Sequence, residues 1–275
     1  MPKASFSVVF FIIFSLVIFG LAPFLFSGYP RIAWLMTLLM LVIFCMGIGY
    51  TINGRFNGIL IDYRNRLSLS KLQALCWSIL VLSALYTAAI IRIRNNIPSP
   101  LDIVLDKYLL AIMGISLTSL AATPAILNIK EDNKSSEFAA QQVSQTLNKP
   151  AEDIISSGKI FYFSSAKLAS WLDLFRGEES TNAGSADIGK IQQFIITFIL
   201  SAVYSVMLLQ YFNPAIPQVK TEWSWLSHFP LVSESMSWLL GISHAGYLAY
   251  KAAPHGDSSS TAPSSTSNTT SSGAG

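Results

Sequence analysis

The stretch GISHAGYLAY, Gly241 to Tyr250, sets a histidine beside a serine in an otherwise apolar run. Hydroxyls and an imidazole are the groups from which nucleophilic and proton-relay sites are built. An ionisable residue inside an apolar span is a functional candidate by default. Ser237, Ser243, His244 and Tyr247 therefore form a candidate intramembrane polar site. A serine hydrolase fails on geometry: helix neighbours project about 100° apart, so Ser243 and His244 cannot face each other. His228 and His255 fall outside the apolar runs, and no run contains an Asp. Gly-rich oxyanion, Walker, GxGxxG and HExxH patterns are missing from the sequence. With Tyr247, Ser243 or Ser237 as partner, a satisfied structural histidine is favoured over a proton or ligand site. No enzyme activity, cofactor or metal is expected.

Composition says what must position these groups. Of 275 residues, 52% are hydrophobic and 12% charged, against about 25% charged in soluble chains. The apolar residues gather into runs long enough for a bilayer, about 18 or more residues. A net charge of +3 without a basic, aromatic-interleaved patch excludes nucleic acid as a partner. Cys45 and Cys76 sit in apolar runs without CxxC or Cys/His spacing, and read as small hydrophobes.

Six segments are candidate spans: Phe6–Phe26, Ile32–Ile52, Ala74–Ile91, Tyr108–Leu127, Phe194–Phe212 and the more polar Ser235–Ala253. The first is longer than a signal-peptide core and is read as a retained helix. Helices are preferred to a barrel because they satisfy their own amides in hydrocarbon. Lys and Arg favour the side holding Lys3, Arg55, Arg64, Arg66, Lys71, Lys130, Lys134, Arg176, Lys190 and Lys251. The other side holds Arg31, Arg92, Arg94, Lys107 and Lys220. The positive-inside rule then puts both termini and the long loop 128–190 in the cytoplasm. Trp34, Trp223, Trp225 and Trp238 are expected at the outer interface, and Trp77 and Trp171 at the inner one.

The chain also repeats itself. Lys71-Leu72-Gln73 enters the third span as Lys190-Ile191-Gln192 enters the fifth. Asp62-Tyr63-Arg64 is echoed by Asp173-Leu174-Phe175-Arg176, Ile97-Pro98 by Ile216-Pro217, and Gly114-Ile115-Ser116 by Gly241-Ile242-Ser243. Pro124 and Pro254 close the two units. Spans 3–4 and 5–6 are thus read as parallel hairpin repeats. Arg64, Lys71, Gln73, Arg176, Lys190 and Gln192 form a repeat-related cytoplasmic collar. Gly114 with Thr118, and Gly241 with Ala245 and Ala249, offer small faces for close helix packing.

In the long loop, Ser136–Leu147 reads as a short helix. Farther on, Leu168, Trp171, Leu172 and Phe175 recur at i, i+3, i+4 and i+7 within Ser164–Glu179. That spacing predicts an amphipathic helix whose face meets the inner leaflet, the bundle or a partner protein. Glu178 or Glu179 pairing with Arg64 or Arg66 would be worth about 0–1 kcal/mol if exposed. From residue 255 on, the Ser/Thr-rich tail cannot bury enough apolar surface to order itself. Its Asn268 sequon is discounted as cytoplasmic.

RLSLSKLQALCW and GISHAGYLAYKAAP resemble a pattern in uncharacterised bacterial multi-pass membrane proteins. The resemblance implies an inner-membrane protein and brings no activity. The expected architecture is an all-α membrane protein of about six transmembrane helices. Its divisions are an N-terminal hairpin (1–53), a first repeat (54–127), a loop with the amphipathic helix (128–171), a second repeat (172–254) and the tail (255–275). The function expected is a non-enzymatic anchor, scaffold or sensor recruiting a cytoplasmic partner through 128–190. The lipid bilayer is its first partner, and a homo-oligomer is allowed. The alternative is a small-solute or ion path lined by spans 4 and 6.

Overall fold

A computed structural model describes residues 6–131, 139–213 and 226–253. Lys3, Lys134, Ser136, Ile216-Pro217, Lys220, Trp223, Trp225, Pro254 and the tail with Asn268 lie outside the described residues. Helix α1 (Phe6–Leu25) turns into α2 (Pro30–Asn53), whose first-turn proline presets a helical φ. Gly54 ends α2 at φ +68°, its N–H returning to the Tyr50 carbonyl, the left-handed stop that glycine adopts without strain. Next come α3 (Leu69–Arg94) and α4 (Lys107–Glu131). The loop that follows carries α5 (Ala139–Leu147) and a hairpin of β1 (Ile154–Ser157) and β2 (Ile160–Phe163), with Ile154 opposite Phe163. The chain closes with α6 (Ile188–Tyr211) and α7 (Glu234–Ala252).

Each apolar segment read from sequence coincides with one of α1–α4, α6 and α7. Four of them, α2, α3, α4 and α6, are long and apolar enough to cross a bilayer. At 1.5 Å per residue their 24 to 26 residues reach roughly 36–39 Å, against a hydrocarbon core of about 30 Å. The described part of α1 is a shorter apolar helix.

Burial is inverted relative to a water-soluble bundle. Phe10, Phe198 and Ile242 are 60%, 63% and 68% exposed, whereas Ser83, Thr87, Ser116, Ser119 and Gln193 are fully buried. That is the partition hydrocarbon imposes: apolar faces outward, hydroxyls and amides turned toward other helices. Helix α3 is the hub, packed against α2, α4 and α6, and α7 packs against α4 and α6. Ala84 and Ala88, one turn apart and without exposure, let neighbours approach α3 closely. The small faces expected at Gly114/Thr118 and Ala245/Ala249 are instead exposed; Gly241 is half-buried, and a Cβ added there would lie 3.5 Å from Ile115 of α4.

Helices α3 and α6 are parallel, since Gln73 near the start of one bonds Thr197 and Gln193 near the start of the other. Helices α4 and α7 end together, where Lys130 Nζ donates to the Ala253 carbonyl. The linkers at the opposite end are stitched by Val104, which donates to Ser227 and accepts from Phe229. There Arg31 and Arg94 donate to the carbonyls of Leu209 and Phe24, at the last turns of α6 and α1. Arg31 and Arg94 thus satisfy helix C-termini.

Two tryptophans depart from expectation. Trp34 is 1% exposed, stacked on Phe212 with its Nε1 directed at Ser83, and Trp77 is equally buried against Tyr204. Both serve the core instead of an interface. Trp238 and Trp171 are exposed, as a belt residue should be.

A close backbone approach joins α2 to the 3₁₀ turn Gly58–Leu60. A Cβ on Gly49 would lie 2.7 Å from the Ile59 nitrogen and 3.0 Å from that of Gly58. Gly49→Ala must push this turn away from α2, at a cost of about 1–3 kcal/mol. Thermal melting in detergent should fall by several degrees, whereas Gly114→Ala, which meets nothing within 4 Å, should leave it unchanged.

Candidate functional site

At the end of the bundle where α3 and α6 begin and α4 and α7 finish, two connecting segments fold over the helix ends. Each is pinned by a short antiparallel bridge, Ile61 to Leu67 before α3 and Arg176 to Ala186 before α6. Each then caps its helix: Ser68 accepts from the Lys71 amide, and Asp187 from the Lys190 amide. Both lysines curl back onto the bridge carbonyls, Lys71 Nζ to Ile61 at 2.6 Å and Lys190 Nζ to Arg176 at 2.8 Å.

Between the segments lies Glu178, its side chain 11% exposed. Its carboxylate meets Lys251 at 2.6 Å, Lys190 at 3.1 Å and Arg64 at 3.3 Å. These cations come from α7, α6 and the 54–68 segment. Arg64 is held in turn by Asp62, which accepts from Nη2 at 2.7 Å and Nε at 3.0 Å. Lys251 also donates to the Tyr247 hydroxyl at 2.9 Å. Beside this centre, Lys130 pairs with Glu179, and Arg66 stacks 4.4 Å over Phe161 while donating to the Gly177 carbonyl. Asp173 approaches Arg66 at 3.9 Å and closes a capping box on Ser170. Deeper in, Ser70 and Thr123 bond at 2.9 Å.

The electrostatics follow from burial and company. Burial alone would raise the Glu178 carboxyl; Lys190, Lys251 and Arg64 overcome it and hold it well below the ordinary carboxylate range. Burial lowers Arg64, but Asp62 and Glu178 outweigh it and carry the guanidinium above its usual value. Arg66 goes the other way: burial, then repulsion from Arg64, pushes it down, and Asp173 offsets part of that. The cavity bordered by Lys130, Glu178, Glu179, Asp187 and Lys251 measures about 10 Å³, room for one water at most. A packed lock fits this arrangement better than a substrate pocket.

The residues singled out in the sequence are distributed as follows. Arg64 and Lys190 join at Glu178, and Lys71 and Gln73 hold the two helix starts. Arg176 contributes its carbonyl. Gln192 is exposed; its neighbour Gln193 is the buried partner, donating to Gln73 Oε1 at 2.9 Å. His244 is buried, with Nδ1 3.0 Å from the Leu240 carbonyl of its own helix. The expected partners play other parts: Tyr247 serves Lys251, and Ser237 and Ser243 are buried on the same face.

No continuous amphipathic helix forms over Ser164–Glu179. The segment breaks into 3₁₀ turns at Ala166–Leu168 and Trp171–Leu174, each capped by a serine, Ser165 and Ser170. Arg55 Nη1 takes the carbonyls of Ala166, Lys167 and Ala169, which a longer helix would need for itself. The predicted face splits accordingly. Leu168 packs beside Phe161 and Phe163, Phe175 meets Phe194 edge-on, and Trp171 and Leu172 are about half exposed. The acid–Arg pairing is present but buried, so the small value of an exposed pair does not apply.

Gln193 is a site residue that sequence reasoning missed; Glu178 was legible only as an exposed partner of Arg64 or Arg66, and Lys251, Lys130 and Asp173 only as charge or repeat positions. One signal was available: lysines at the same end of α4, α6 and α7 face an adjacent Glu178-Glu179 pair in the loop between them. No protein family matches the chain, nor does any curated protein or solved structure.

Glu178→Gln leaves three buried cations around a neutral amide and should cost about 3–5 kcal/mol, read as a fall in melting temperature. Because the folded Glu178 value is depressed, its stabilisation is complete above about pH 4.3 and is lost as pH falls through the folded value. Melting of the wild type should therefore fall as pH drops below about 4.3 toward the depressed folded value, and Glu178→Gln should flatten that slope.

Proposed function

We propose that the chain is a six-span membrane protein with both termini and residues 128–190 in the cytoplasm, acting without enzymatic chemistry. Its role is that of an anchor, scaffold or sensor presenting a rigid platform to a cytoplasmic partner. The observation that carries this reading is the Glu178 centre, which ties the loop to α6, α7 and the lead-in to α3. What stays available is surface: Leu172 is about half exposed.

Spanning by α7 is supported by its inverted faces, with Trp238, Leu239 and Ile242 outward and Ser237, Ser243, His244 and Lys251 inward. Duplication is supported by the matched bridge, cap and lysine before α3 and α6 and by their parallel course. Lys167→Cys and Leu101→Cys, in a chain freed of Cys45 and Cys76, test the orientation. An impermeant maleimide should label position 101 on intact cells and position 167 only after permeabilisation; the reverse would overturn it. A photo-crosslinker at position 172 should yield one discrete adduct, and a diffuse smear would contradict recruitment.

A transport reading has one observation in its favour. Ser116 and Ser119 on α4, and Ser243 and His244 Nε2 on α7, are buried with no side-chain partner among the described residues. Waters threaded between these helices would satisfy them. Flux through liposomes that His244→Ala abolishes would establish a path; equal flux in both proteins, at the protein-free rate, would leave the scaffold.

A further inference from the structure

We propose that the groove between α2 and α3 holds one acyl chain of an anionic phospholipid, whose phosphate sits against Arg55 and Lys167. The groove measures about 320 Å³, within the size range of ligand sites. Its walls are apolar except for Asn57, and include Val42, Cys45 and Met46 from α2 and Leu75, Cys76 and Ile79 from α3. Both helices are of membrane-crossing length and composition, so what meets the opening is hydrocarbon. The opening is real: Met46, Phe56 and Trp171, which line it, are 39%, 62% and 55% exposed.

Length and charge narrow the occupant. From Asn53 at the end of α2 to Val42 is about 16 Å at 1.5 Å per residue, close to the depth of one leaflet of a 30 Å core. Arg55 directly precedes Phe56 of the lining, and its guanidinium holds the segment that leads into Trp171 of the same lining. Arg55 makes its three carbonyl bonds through Nη1 alone, which leaves Nε and Nη2 to meet a phosphate. Lys167, whose carbonyl Arg55 grips, is exposed next to it. A fork of guanidinium donors suits a phosphodiester, and the Lys167 ammonium repels the quaternary ammonium of a zwitterionic choline headgroup, which favours the net-anionic lipid. Trp171 lines the same groove and is half exposed, as suits an indole at a headgroup boundary. The interface segment 166–171, fixed by Arg55, then becomes a headgroup clasp.

This inference rests on α2 and α3 lying in a bilayer and not on which side the loop faces, so a failed orientation test would leave it standing. The test is native mass spectrometry of the detergent-purified chain titrated with phosphatidylglycerol or phosphatidylcholine. One phosphatidylglycerol should be retained per chain, at least fivefold over phosphatidylcholine. Met46→Trp, which fills the groove from its exposed side, should remove that lipid. Lys167→Gln, at an exposed site remote from the core, should retain lipid but erase the headgroup preference. Equal retention of the two lipids by the wild type, or an unchanged preference in Lys167→Gln, would overturn the proposal, as would undiminished lipid on a Met46→Trp protein of wild-type melting temperature.

Discussion

One buried carboxylate facing three cations constrains this molecule more than any other contact. Taking an ion out of water costs several kcal/mol, which is recovered only where partners are close and complete. Glu178 meets that condition with Lys251, Lys190 and Arg64, residues that lie far apart in the chain and on different elements. None of the three can move away without stranding the others. The segment that carries Glu178 is thereby fixed to α6, α7 and the lead-in to α3, and the ends of the bundle are fixed to each other.

The rest of the loop end depends on that fixation. With Glu178 in place, Glu179 reaches Lys130 of α4, and the Gly177 carbonyl accepts from Arg66. Arg66 then lies on Phe161 of β2, and Asn65, at φ +57°, donates to the Phe163 carbonyl. The hairpin is carried along, and its side chains close a small core with Val143 of α5. Polar atoms do in this region what apolar packing does around Trp77, Leu109 and Leu208 farther down the helices. Such a network sets position at the expense of stability, since an apolar replacement of similar volume is often neutral or better.

What the sequence disclosed follows from how local each signal was. Helix positions were legible because a bilayer demands long apolar runs, a property of consecutive residues. The Glu178 centre was not, because its partners are brought together only by folding; Lys190 and Lys251 read as basic residues on one side of the membrane, yet they are 3% and 5% exposed. The pattern at Leu168, Trp171, Leu172 and Phe175 had helical spacing, but Arg55 captured the carbonyls that a helix there would use. Gln192 was chosen over Gln193 by aligning letters, whereas the helix face that meets Gln73 is decided by α6 packing on α3. His244 was found because one imidazole in an apolar run is conspicuous, and its partner proved to be the carbonyl four residues back.

Hydrogen exchange on the wild-type protein in detergent tests the central claim most directly. If Glu178 locks the connecting segments to the helix ends, amides in 60–67 and 173–187 exchange as slowly as those at the starts of α3 and α6. Exchange of those segments within seconds, at the pace of a free loop, would contradict the account.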